Sequence, residues 1–393
     1  MSLPLSGTRI LDLSRLLPGA YASQMLADFG ADVIKVEEPE TGDYSRAMPP
    51  YGPGGLGLYF LATNRNKRSV TLNLKSAQGR AIFLRMVRES DVVLESFRPG
   101  VMERLGLGYE QLKEVNPAII YCAISGYGQD GPYRLRAGHD LNYAGYAGLL
   151  HYNRSPKGEP AMPASQFGDL AGGSFMSVIG ILTALMGRTQ NGEGRKIDVS
   201  MTEGVMSLLP LTASSYLNTG KAPLPGHSPL DGGLPCYNIY ETSDGKHVTL
   251  AALEPKFWHT FCTRIGHLEL LPFQRPLGAN EREQAMDTLR AVFKSKTRDQ
   301  WVAELADIDS CLGPVYTIDE ALNDPHTQAR GVSVTSAREQ ETFRTLPSFP
   351  RISDVPAEQR YPPPLLGEHT VELLQEIGYS AEEIARLKNE GIV

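Results

Sequence analysis

Three short stretches place ionisable side chains where acid–base chemistry is possible. Gly168-Asp169-Leu170-Ala171-Gly172-Gly173 sets a carboxylate and pliable backbone at the start of an apolar helical run. Free N–H groups and the helix dipole favour negative charge at such a place. His139-Asp140 joins an imidazole, the side chain whose charge changes nearest neutral pH, to a neighbouring carboxylate. Glu254 stands immediately before Pro255 and a helical pattern. Each has a plain structural alternative: Asp169 as an N-cap, His139-Asp140 as a surface or capping pair, Glu254 as the residue before a helix. Spacing does not choose between them. A basic run, Asn64-Arg65-Asn66-Lys67-Arg68, offers phosphate contacts or a solvated turn.

The elements around these residues begin with an alternation of short β-branched runs and amphipathic stretches. Thr8–Leu13, Asp32–Val36, Ser69–Leu74, Val92–Leu94 and Ile119–Ile124 read as strands, Pro18–Phe29 and Gln78–Glu89 as helices. This pattern predicts a Rossmann-like parallel sheet. No G-x-G-x-x-G follows the first strand, so a dinucleotide redox cofactor is not expected. From Ala171 to about Arg188 the positions Phe175, Val178, Ile179, Leu182, Leu185 and Met186 predict a core helix. Pro and Gly between Lys221 and Pro235 read as a linker into a smaller α+β domain, with a hairpin around Asp244-Gly245 and helices over Phe257–Ile265 and Arg282–Phe293. A last helix, Ala381–Glu390, starts from Ser380.

Composition narrows the classes of partner. At 393 residues two domains are expected, and 41% apolar with 21% charged residues gives enough core to fold them. A formal charge of -7 leaves no global field for holding nucleic acid. The four cysteines are scattered, so neither a metal site nor a disulfide framework is indicated. No leader pattern and no apolar run near the ~18 residues of a membrane span is expected, and the cytoplasm is the simplest location.

Several segments taken together resemble one family, the class III CoA-transferases with their relatives the α-methylacyl-CoA racemases. They run in order from Pro4-Leu5-Ser6-Gly7 and Leu26-Ala27-Asp28-Phe29-Gly30-Ala31-Asp32 through Asn66-Lys67-Arg68-Ser69, Glu95-Ser96-Phe97-Arg98-Pro99-Gly100 and Ser125-Gly126-Tyr127-Gly128 to Gly168-Asp169, Asp324-Pro325-His326 and Gly367-Glu368-His369-Thr370. Within the family, Gly138-His139-Asp140-Leu141-Asn142-Tyr143, Leu230-Asp231-Gly232-Gly233-Leu234-Pro235-Cys236-Tyr237 and Glu254-Pro255-Lys256-Phe257 are similar to the racemase branch.

The resemblance implies an α/β fold: a Rossmann-like large domain over 1–220, a small α+β domain over 221–325, and a segment 326–393 returning to the first. It also implies an interlocked homodimer. The implied activity is 2-methylacyl-CoA racemisation or epimerisation, in fatty acid metabolism, by 1,1-proton transfer through an enolate. His139 and Asp169 are the implied acid–base pair, with Glu254 or Asp140 orienting the imidazole and backbone N–H groups of Gly168–Gly173 meeting the enolate oxygen. Coenzyme A is part of the substrate, with no separate cofactor. Its implied contacts are Leu72, Asn73, Leu74, Lys75, Ser96, Phe97, Arg98, Arg104, Gly138 and Tyr143. Glu38 departs from the pattern, standing where relatives carry a basic residue, and Arg65 or Lys67 is expected to replace it. Met162, Met176, Met186, Met201 and Met206 offer adaptable surface for an acyl chain, or ordinary core filling. The alternative activity is CoA transfer, with Asp169 attacking the thioester to form an anhydride.

Overall fold

A computed structural model describes residues 2–155, 158–338, 340–356 and 359–393. The chain forms two compact units. Unit 1 comprises Met1–Leu149, Pro163–Leu208 and Gly331–Val393; unit 2 comprises Leu150–Met162 and Leu209–Arg330. The division thus falls at Leu208/Leu209, with Pro210–Thr219, a helix ahead of the Pro/Gly-rich stretch, belonging to unit 2. The sequence boundary at 220/221 follows that helix. The short segment Leu150–Met162, also in unit 2, carries no composition change that would mark it.

Unit 1 is built on six parallel strands: β1 (Arg9–Asp12), β2 (Asp32–Glu37), β3 (Lys67–Thr71), β4 (Val92–Glu95), β5 (Ile120–Ser125) and β6 (Lys196–Ser200). Their order is β3-β2-β1-β4-β5-β6, the doubly wound arrangement in which the strand order reverses between β1 and β4. Alternate side chains divide between the two faces, as the pleat requires. Leu11, Ile34, Val93, Tyr121 and Ala123 enter one core, and Ile10, Val33, Leu94, Cys122 and Ile124 the other. The first core is closed by the end of the chain, where Leu373, Leu374, Ile377, Ile384 and Leu387 pack. Ser380 caps the last helix, Ala381–Asn389, accepting the Glu383 N–H at 3.2 Å.

Helices α1 (Leu16–Asp28), α2 (Ala77–Arg88), α3 (Asp140–Tyr146), α4 (Met176–Asn191) and α5 (Met201–Met206) flank the sheet. The expected helix from Ala171 begins earlier and differently. Phe167–Phe175 is wound as a π-helix and runs directly into α4. Val178, Ile181 and Ala184 form the buried stripe of α4, whereas Ile179 and Met186 are exposed. The continuous run Phe167–Asn191 is long and apolar enough to cross a membrane by length and composition. This corrects the expectation that no such run exists; its buried stripe packs in the second core of unit 1.

Unit 2 has its own three-stranded antiparallel sheet, Tyr237–Glu241, His247–Ala251 and Leu312–Pro314. Helices Pro255–Ile265 and Ala279–Phe293 contribute Trp258, Phe261, Leu289 and Phe293 to a separate core.

Candidate active site

A cavity of about 340 Å³ opens at the carboxyl ends of β1, β4 and β5 in unit 1. This is the reversal point of a doubly wound sheet, the place where such folds bind ligands. The loop after β1 supplies Arg15, Leu16 and Pro18, the loop after β4 supplies Ser96 to Pro99, and the end of β5 supplies Ile124 to Gly126. His139, Tyr143 and Asp169 close it. The structure therefore brings His139 and Asp169 to one cavity, together with Ser96, Phe97, Arg98, Gly138 and Tyr143.

Asp169 is not an N-cap. Gln166 occupies the cap, and Asp169 lies in the first turn of the π-helix. Its carboxylate accepts no hydrogen bond among the described residues. Glycines allow that turn to sit close to its neighbours: a Cβ on Gly172 would lie 2.4 Å from the Met201 carbonyl oxygen of α5, and one on Gly204 would lie 2.5 Å from the Gly172 Cα. Ser174 Oγ donates at 2.6 Å to the Pro18 carbonyl and lies 3.1 Å from that of Asp169, fastening the turn to the start of α1. Burial pushes the Asp169 carboxyl up to about 6, the negative charge of Asp140 adds to the rise, and His139 opposes it.

His139 is exposed at the N-terminal end of α3, and its backbone N–H donates to Asn142 Oδ1 at 3.1 Å. The next helical residues explain the motif around it. The Tyr143 ring fits a slot that exists only beside glycines, since a Cβ on Gly126 or Gly138 would lie 2.3 or 2.8 Å from its Cε1. The Tyr143 hydroxyl donates to the Gly138 carbonyl, pinning the residue before His139. Tyr127 packs edge-on against Tyr143 and Tyr146, with ring centroids 5.3 and 5.4 Å apart.

Asp140 corrects an expectation. Its Oδ1 accepts the Asp169 N–H at 3.0 Å, and no hydrogen bond joins it to the imidazole of His139 among the described residues. It holds the Asp169 backbone and raises the nearby carboxyl electrostatically, because its side chain leaves α3 toward Gly168, whose missing Cβ leaves room for it. The same bond removes the Asp169 N–H from the donors expected to meet an enolate oxygen, and the Leu170 N–H is already donated to Gln166 O at 2.9 Å. Glu254 is placed in unit 2, exposed, immediately before the helix Pro255–Ile265.

The other expected binding residues lie outside this cavity. Leu72 is buried in the first core, with Leu74 packed against it. Asn73 folds back to accept the Lys75 N–H at 3.1 Å, and Arg104 lies in the last turn of a short helix, Val101–Arg104. Lys75 is drawn to Glu38, 3.1 Å away, and Arg15 approaches the other Glu38 oxygen at 3.8 Å. Arg65 and Lys67 do not replace the missing basic residue. Arg65 is fixed to Asp28 and Thr345, and Lys67 is wholly buried against Asp12, Asn64 and the Ala20 carbonyl. Both neutralise internal carboxylates and have no free surface to offer a phosphate. Of the methionines singled out, only Met201 lines the cavity.

Arg15, Leu16, Arg134 and Arg136 also line the cavity and are not among the residues expected from sequence. They come from loops without periodic signal. Their one legible cue was position, since Arg15 and Leu16 follow the first strand of a predicted doubly wound sheet. Arg136 stacks on Tyr133, its guanidinium carbon 4.1 Å from the ring centroid, and bonds the Tyr146 hydroxyl.

A doubly wound α/β unit with an imidazole, a proton-holding carboxyl and several guanidinium groups around one cavity has the makings of an enzyme for anionic substrates. The chain belongs to CoA-transferase family III, whose model matches residues 5–370. It is 36% identical over 391 residues to the alpha-methylacyl-CoA racemase of Homo sapiens, covering 99% of this chain and 97% of that protein. It is 37% identical over 410 residues to an acyl-CoA transferase of Fusarium pseudograminearum, covering 99% and 88%. Among solved structures, a CAIB/BAIF family protein from Brucella suis superposes with a TM-score of 0.82 at 34% identity, covering 96% of this chain and 100% of that one.

Proposed function

We propose that the chain is a 2-methylacyl-CoA racemase or epimerase that moves a proton to and from the carbon next to the thioester. The observation that carries this reading is the pairing of His139 with Asp169 around one cavity, the carboxyl raised to about 6. A group that both donates and removes a proton must be present in both states near neutral pH, and a value there supplies them. The thioester carbonyl acidifies the α-carbon. One of the pair takes its proton from one face, an enolate forms, and the other returns a proton to the opposite face. Arg98, Arg134 and Arg136 suit the phosphates of the coenzyme A moiety. A homodimer belongs to this reading through the family resemblance alone.

The second reading is CoA transfer with Asp169 as nucleophile, favoured by a relative named succinate–glutarate CoA-transferase at 34% identity and one named acyl-CoA transferase at 37%. Incubation of a 2-methylacyl-CoA in deuterated water separates the two. Racemisation predicts deuterium at the α-carbon with no carboxylic acid added. Transfer predicts none, with labelled CoA exchanging only when an acceptor acid is present. His139→Ala should abolish the α-exchange; persistence near the unmodified rate would refute the two-base mechanism.

A further inference from the structure

Leu16 has a backbone φ of +62°, a left-handed conformation that branched side chains seldom adopt. It opens α1 and lines the cavity. Three successive amides of the loop around it are each held by a side chain. The Ser14 N–H donates to Asp12 Oδ1 at 2.9 Å, the Arg15 N–H to Ser96 Oγ at 3.2 Å, and the Leu16 N–H to Asp43 Oδ1 at 3.2 Å. Lys35 ties the arrangement together: its ammonium lies 2.8 Å from Asp43 Oδ2 and donates to the Ser14 carbonyl at 2.9 Å. Lys35 and Asp43 are both buried. Two residues further on, Pro18 is bonded to the π-turn of Asp169 through Ser174.

We propose that Asp43, paired with Lys35, is a positioning residue for the reaction: it holds Leu16 left-handed so that the loop presents Arg15 and Leu16 side chains at a fixed place beside Asp169. A buried ion pair is a firm anchor because neither charge can be left alone. Burial acts to raise the Asp43 carboxyl, yet Lys35 and the Ser45 donors outweigh it and hold it at about 2, so the anchor is charged throughout the working range. Asp12 and Glu37 also face the Lys35 ammonium and keep it protonated.

The test rests on the proton-exchange reading and uses a two-by-two set: the unmodified chain, Asp43→Asn, Leu16→Gly and the double variant. Each is assayed for α-deuterium incorporation and for thermal stability. Asp43→Asn keeps an oxygen for Leu16 but turns an amide toward Lys35, and should lower kcat/KM by about 10- to 100-fold, the scale of an ångström-level misplacement. In the Leu16→Gly background the same change should cost no further activity, while lowering Tm as much as it does alone. Equal kinetic losses in both backgrounds, or no loss in either, would overturn the proposal. If Asp43→Asn does not fold, Leu16→Ala against Leu16→Gly decides. Both remove the side chain, but glycine alone frees the backbone, so glycine should show the higher Tm, the lower activity and faster amide exchange over residues 14–18. Identical behaviour of the two would refute it. An unmodified chain without α-exchange overturns the functional reading instead, and amide exchange then tests the anchor by itself.

Discussion

Replacing Asp169 with Asn should make the protein inactive and more stable. The folded chain keeps a proton on Asp169 up to about pH 6, whereas an ordinary Asp gives it up near 3.8. Between these values the folded state binds more protons than the unfolded state. Stability therefore falls as pH rises through that interval and stays lower above it. At pH 7.5 the full difference corresponds to roughly 3 kcal/mol at 1.36 kcal/mol per pH unit, and partial solvent contact reduces this to ~2 kcal/mol. Asn removes the charge without removing a bond, since the carboxylate accepts none among the described residues. A gain of ~2 kcal/mol amounts to about 4–8 °C in a unit of this size. Thermal melts of the two proteins from pH 4 to pH 8 are the assay. The Tm difference should be near zero at pH 4 and reach its plateau above pH 7. A gain that is absent at pH 7.5, or equally large at pH 4, would refute the claim that burial of a charged carboxylate is what the site sustains.

Asp140→Asn keeps the oxygen that accepts the Asp169 N–H and removes a charge that raises its carboxyl, so the pH limb of activity near 6 should move to lower pH in a rate profile. Glu95, at the end of β4, accepts from the Phe97 N–H at 2.7 Å and the Tyr121 hydroxyl at 3.1 Å, and burial pushes its carboxyl up to about 7 against both. Its folded form holds a proton that the unfolded chain releases near 4.5, so Glu95→Gln should be ~2–3 kcal/mol more stable at pH 8 and no more stable at pH 4, read by denaturant titration. Arg65→Ala should lower stability by ~3 kcal/mol by taking the countercharge from Asp28, which among the described residues keeps only the Asn66 and Ser348 donors, while the remaining folded protein binds CoA with unchanged affinity in a calorimetric titration.

Strands β1, β2, β4 and β5 were legible because each holds apolar residues between turn signals, as a sheet buried on both faces requires, whereas β3, Lys67–Thr71, is a polar edge strand that overlaps the expected Ser69–Leu74 run only at Ser69–Thr71. Strand β6 was not: Lys196-Ile197-Asp198-Val199-Ser200 mixes polar and apolar residues because it is an edge strand paired only to β5. At the site, His139 and Asp169 became visible only through resemblance to a family, since any lone imidazole or carboxylate has a structural use. Leu72 and Asn73 are taken up by the chain end, where the Asn73 N–H donates to the Ile392 carbonyl at 2.8 Å. The basic run 64–68 stays open in the sequence between phosphate contacts and a solvated turn, because sequence shows charge but not the carboxylates, Asp12, Asp28 and Asp32, that meet it in the fold.

The missing glycine fingerprint after β1 has a structural counterpart. In a dinucleotide fold the amides of this loop face a pyrophosphate, and glycines let the backbone approach it. Here the amides of Ser14, Arg15 and Leu16 are all donated to side chains. What the loop shows to the cavity is a guanidinium and an apolar side chain. Arg15 is itself oriented by the Tyr44 hydroxyl, 2.9 Å away, and its guanidinium carbon lies 5.1 Å from the Tyr44 ring centroid and 5.9 Å from that of Phe97. In the proposed function the reversal point stays the binding place, and an anion there meets side chains rather than backbone amides. This leaves the backbone free to fix the distance between the first loop and the turn that carries Asp169.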